Sequence, residues 1–207
     1  MAALIWLVMA TVAAGFAFGR VFLDAGAAPA LDRWVDGALL AMMVVVGIDI
    51  GRQPEAWAPL LRRGLRLVAV PLLVAVGSIA GAAAAAPLLG LPPLLAAAAA
   101  AGFGWYSLSG AMLTSLVDPA AGTLAFLGNV FRELLTFLLA APLVRRLGPL
   151  APVAVGGATA MDTTMPVIAR ASGPGAALTG FASGLLLAAA APFLIEALAR
   201  LHLGLGS

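Results

Sequence analysis

The sequence predicts an all-α, polytopic transmembrane helical bundle, and three observations carry that expectation. Of 207 residues, 63% are hydrophobic and only 10% charged, whereas a soluble domain carries about a quarter charged residues. Mean hydropathy is +1.11. The apolar residues gather into about seven segments joined by short loops, so no soluble domain of this length can hide them.

The segments run approximately over 2–19, 36–50, 67–88, 93–117, 120–144, 150–169 and 175–198, against the ~20 residues that an untilted membrane helix needs. The first resembles a secretory signal in hydropathy but lacks a basic leader, so it is expected to be a retained helix. Residues 2–90 read as an N-terminal three-helix unit and 91–200 as the half bearing the motifs, within one integral membrane domain over 1–207.

Arginine placement sets orientation and produces a contradiction. Arg52, Arg62, Arg63 and Arg66 mark one loop as cytoplasmic, and Arg145 and Arg146 mark another, yet three apolar segments separate the two clusters. Three full crossings would put them on opposite sides. One segment is therefore expected to be re-entrant or broken. The choice falls on 93–117, where three glycines and two serines lie between Gly102 and Gly110 and allow close backbone approach.

The same composition excludes several functions. The basic residues are all arginine and, Arg132 apart, lie in or beside the loops between apolar spans, without the single basic face that binds nucleic acid. There is no cysteine, and His202, the only histidine, is in the C-terminal tail. No nucleotide loop, metal-ligand spacing or Ser/His pair is present, so no enzyme, cofactor or metal is expected.

The chemistry concentrates around Asp162 in GGATAMDTTMP. An aspartate at the centre of a membrane helix costs roughly 2.5 to 3.5 kcal/mol on insertion scales, and such residues mark substrate, ion or proton sites. Gly156, Gly157 and Pro166 make the stretch poor continuous helix, freeing backbone groups to face a cavity. Pro166, four residues beyond Asp162, is expected to break the helix there.

GFGWYSLSG at 102–110, FRELL at 131–135 and GGATAMDTTMPVIAR at 156–170 together resemble, in order and spacing, the LysO family of lysine exporters. The likeness extends through the C-terminal span and more loosely to VVVGIDIGR at 44–52. It implies export of L-lysine across the cytoplasmic (inner) membrane, coupled to proton entry. Longer family members carry a further N-terminal region resembling residues 2–90. A homodimer is the expected way for a short form to recover that surface.

The residues suit such a cargo. Asp162 can pair with an ammonium group or exchange it for a proton. Asp49 is a second candidate; it also reads as an interfacial partner of Arg52 three residues on. Arg132 and Glu133 lie mid-segment, where a structural charge network and a carboxylate-binding role for Arg132 both stand, and Asn129 joins them as a polar candidate. Trp105 and Tyr106 fit an interface belt or a cation–π contact worth about 2 kcal/mol when desolvated. Ser107, Ser109, Thr159 and Thr163 offer hydroxyls, although each can also bond back to its own helix. Gly102, Gly104, Gly110, Gly156, Gly157 and Pro166 are the expected hinges. A monovalent-cation/proton antiporter would use the same charged groups, and a non-transporting membrane assembly partner is the third possibility.

Overall fold

The computed structural model describes residues 65–205 continuously, with isolated positions at 14, 15, 17–20, 34, 37, 41, 44 and 48. The chain divides into two compact units, Met1–Ala38 and Leu39–Ser207. The elements below all belong to the second. Apart from those isolated positions, expected segments 2–19 and 36–50 lie outside the described residues, and so does Asp49.

Every described element is helical. Helix α1 (Leu65–Ala85) continues as a 3-10 turn (Ala86–Leu89) that Gly90 ends at φ 67. Pro92 and Pro93 open α2 (Pro93–Ala100), a tip follows at 101–105, and α3 covers Tyr106–Leu116. The Asp118 carboxylate accepts the Ala121 N–H at 2.7 Å and caps α4 (Pro119–Leu147), with Pro119 in the first turn. Then come α5 (Ala151–Gly156), a 3-10 turn (Gly157–Met161), α6 (Met165–Ser172) and α7 (Pro174–Leu205). Proline at these starts is costless, because first-turn N–H groups have no intrahelical acceptor.

Among the described residues, three helices are long and apolar enough to cross a membrane: Val68–Leu89, Pro119–Leu147 and Pro174–Gly204. The others are not. At 1.5 Å per residue, the 8 residues of α2 and 11 of α3 reach only about 12 and 16 Å, far short of a ~30 Å hydrocarbon core.

Contacts show how the short helices run. Ser78 of α1 meets Arg132 of α4 at 2.8 Å, while Ala86 and Leu89 share a cavity wall with Leu124 and Ala125, so α1 and α4 are antiparallel. Gly122 of α4 lies against Gly110 and Thr114 of α3, and Leu91 and Ala96 join the Leu124 wall. Both arms of 93–117 therefore lie beside the first half of α4, and the segment is a hairpin. It returns the chain to the end it left.

Residues 151–172 form a second hairpin from the other end. Val153 of α5, Ile168 of α6 and Ala176 of α7 share one buried cluster, so α6 runs back alongside α5. Gly180 and Gly184 of α7 then abut Ala160 and Ala158 near the hairpin's tip. With 93–117 folded back, the start of α1 and the Arg145–Arg146 end of α4 lie at the same end of the bundle.

The fold is thus an all-α membrane helical bundle with an apolar exterior. Phe131, Leu138 and Phe193 are 60%, 73% and 74% exposed, a surface suited to lipid. The interior is small-residue packing: Ala98, Ala101, Ala125, Ala188 and Ala191 surround the fully buried Phe103, Leu108 and Leu113.

Candidate functional site

The two hairpin tips meet. Ala158 donates its N–H to the Phe103 carbonyl at 2.8 Å, the backbone bond that joins them. Both tips need left-handed backbone, with Gly104 at φ 102 and Gly157 at φ 62; Phe103, at φ 52, is the one non-glycine residue in that region among those described. A Cβ at Gly157 would collide with the Phe103 carbonyl oxygen, and one at Gly104 would lie 3.2 Å from the Gly156 carbonyl. Glycine here permits both the turn and the close approach.

One face of α4 satisfies the backbone groups that the tips free. Asn129, 3% exposed, accepts the Gly104 N–H at 2.7 Å and reaches the Ala99 carbonyl at 2.8 Å and the Ser109 hydroxyl at 3.0 Å. One turn on, Arg132 donates to the Val155 carbonyl at 2.7 Å, the Ala154 carbonyl at 2.9 Å and Ser78 Oγ at 2.8 Å. The guanidinium thus sits on the C-terminal carbonyls of α5, where a helix presents partial negative charge. Arg132→Lys keeps the charge but not the fork, so it is expected to lower the melting temperature of the purified protein and to loosen the second tip.

Glu133 lies on the neighbouring face of α4. The carboxylates of Glu133 and Asp162 both lie within electrostatic range of the Tyr106 hydroxyl. The Tyr106 ring stands edge-on to Phe126, with centroids 5.3 Å apart and planes at 81°. Trp105 and Tyr106 are half-buried and Ser107 is exposed at the head of α3. A carboxylate within range of a phenol can hold an ammonium group or a proton.

Several expected roles change. Asp162 lies at the surface of the described bundle, not sealed inside it, and its Oδ1 accepts the Thr163 N–H. Thr163 is likewise exposed. Thr159 and Thr164 are buried and used locally: Thr159 Oγ1 donates to the Gly156 carbonyl at 2.9 Å and lies 3.2 Å from Thr164 Oγ1. Ser109 is fully buried and bonds the Trp105 carbonyl at 3.0 Å.

Among the expected hinges, Gly102 packs so tightly that a Cβ would lie 2.6 Å from Ser109 Cβ. Gly110 is no break: it lies within α3, where it lets Phe126 and Gly122 approach. Nor does Pro166 break a helix. It occupies the first turn of α6, and the interruption lies upstream, between Gly157 and Thr164. Gly156 closes α5. Sequence reasoning missed Gly180 and Gly184, whose four-residue spacing is the signal for close helix approach in membranes. Among the described residues no His/Cys/Asp/Glu cluster could hold a metal.

Short hairpins meeting tip to tip in an apolar helical bundle define an all-α membrane protein. The lysine exporter LysO family profile matches residues 9–199, and the chain belongs to that family. It is 39% identical over 155 residues to the lysine exporter LysO of Escherichia coli (strain K12), covering 72% of this chain and 50% of that protein. A Haemophilus influenzae (strain ATCC 51907 / DSM 11121 / KW20 / Rd) protein named "Putative lysine exporter" is 32% identical over 137 residues, 65% of this chain and 68% of that one. The chain therefore spans about half the length of the first relative and two thirds of the second. No solved structure matches.

Proposed function

We propose that the chain is a multi-pass secondary transporter of the cytoplasmic membrane that exports L-lysine in exchange for protons. The observation that carries this reading is the grouping of Glu133, Asp162 and Tyr106 beside the meeting of two hairpin tips. Carboxylates at membrane depth are costly and mark ion or substrate paths. Asp162 and Glu133 would hold the lysine ammonium groups, with the faces of Trp105 and Tyr106 adding cation–π attraction. Ser107 and the first-turn N–H groups of α3 would receive the lysine carboxylate. A proton arriving from outside competes for the same carboxylate and releases the cargo, which suffices for antiport.

Both hairpins would then be re-entrant, lying at membrane depth with their freed backbone groups turned inward, as lipid cannot satisfy them. Absence of cysteine makes each introduced cysteine unique. Single cysteines at Gly90 and Val117 should label with impermeant reagent from one side of the membrane, and at Gly148 and Gly173 from the other. Opposite labelling of Gly90 and Val117 would mean that 93–117 crosses. A homodimer is the proposed assembly, and Asp49 the proposed second acid.

Inverted vesicles test the substrate. Labelled lysine should accumulate in them when the interior is acidified, and collapse of the pH gradient should release it. Sodium movement in place of lysine would favour the monovalent-cation/proton antiporter, and neither flux an assembly partner.

A further inference from the structure

Asn129 does more than fill space. Its amide is buried, and its orientation is dictated by its neighbours: the Gly104 N–H requires an acceptor, while the carbonyls of Ala99 and Ala125, at 2.8 and 2.9 Å, require a donor. Ala99 precedes the first tip, Gly104 lies in it and Ser109 follows it, so one side chain ties together both arms of the hairpin. Phe103, held between those anchors and fully buried, presents its carbonyl to Ala158 of the second tip. From Ala158 the chain runs four residues to Asp162. On the other side of that tip, Arg132 holds Ala154 and Val155.

We propose that Asn129 is a positioning residue that couples the two hairpin tips, fixing where Tyr106 stands relative to Asp162 without itself touching cargo. Both of its amide hydrogens are taken by protein acceptors and its oxygen holds the Gly104 N–H, so its bonds serve the hairpin. In transport, the tips would move as one unit while this clasp holds and separately when it opens. The proposal rests on the export reading only for its transport readout.

The test uses the full-length protein and two measurements. In hydrogen–deuterium exchange, Asn129→Ala should speed exchange at 101–105 and also at 157–162, reached through the Phe103–Ala158 bond, while α7 beyond the tips exchanges as in the unaltered protein. Leu138→Ala, on the exposed face, is the control. Asn129→Asp distinguishes positioning from mere support. Ionised, its carboxylate can accept from Gly104 but cannot donate to Ala99; protonated, it can do both. Its exchange at both tips, compared with the unaltered protein at each pH, should fall back toward normal on acidification.

Its apparent KM for lysine should be raised roughly tenfold at neutral pH, the size expected when one buried polar group is left unmet. That KM should recover with acid at constant amounts of folded protein, and Asn129→Ala should show no recovery. Unchanged exchange at 157–162 in Asn129→Ala, or an Asn129→Asp profile that follows Asn129→Ala at every pH, overturns the proposal. Should Asn129→Ala fail to fold, Asn129→Asp across pH carries the test alone. Exchange needs no cargo, so failure of lysine export leaves that measurement standing, and altered export with unaltered tip exchange sinks the clasp alone.

Discussion

Asp162→Asn should all but abolish proton-coupled lysine export while leaving insertion and fold intact. The structure supplies the reason for the second half: the carboxylate is exposed, and its hydrogen bond to the Thr163 N–H can be accepted equally by an amide oxygen. Loss of the charge also lowers the cost of placing residue 162 at membrane depth. What disappears is the group for which ammonium and proton compete. Export in inverted vesicles should fall by about a hundredfold, the range seen when one partner of a close charge pair is removed. Asp162→Glu should keep part of the activity at a shifted pH optimum, because charge survives while reach changes. A fully active asparagine variant would move the exchange site to Glu133 or Asp49.

Gly157→Ala should be among the most damaging single-methyl additions in the bundle. At φ 62 an alanine is strained, by about 1 to 3 kcal/mol in so sparsely populated a conformation. The new Cβ would also strike the Phe103 carbonyl oxygen and lie 2.9 Å from Arg132 Nη2, so both the junction between tips and the guanidinium clamp must give way. Melting of the detergent-purified protein should shift down markedly, with export lost. Gly175→Ala, where nothing lies within 4 Å of the added carbon, should melt and export normally.

Much of the bundle was legible because hydropathy reports burial in lipid directly, and each described long helix falls on an expected apolar segment. The glycines of 102–104 pointed to the first tip for a sound reason, since positive φ and close approach both demand them. The return of α6 alongside α5 was not legible. Residues 150–169 are long enough to span, and only the tertiary cluster of Val153, Ile168 and Ala176 shows that they fold back. Pro166 misled because a proline reads alike at a helix break and in a helix's first turn, and Gly110 because a glycine serves packing as readily as bending.

The candidate site was read through its charged residues, whose cost in lipid makes them conspicuous. Their division of labour was hidden. Arg132 and Glu133 are neighbours in sequence, yet about 100 degrees of helix turn sends Arg132 to the tip backbone and leaves Glu133 on a different face, within electrostatic range of Tyr106. Asn129 carries no charge, and nothing in one sequence announces that its partners lie 25 and 30 residues away.

The most direct test of lysine–proton exchange at this junction uses purified protein in sealed lipid vesicles loaded with lysine and a pH-sensitive dye. With the outside made acidic, lysine should leave and the interior should acidify in step, and neither should occur with Asp162→Asn. Lysine efflux without proton entry, or the same coupled exchange in the asparagine variant, would contradict the account.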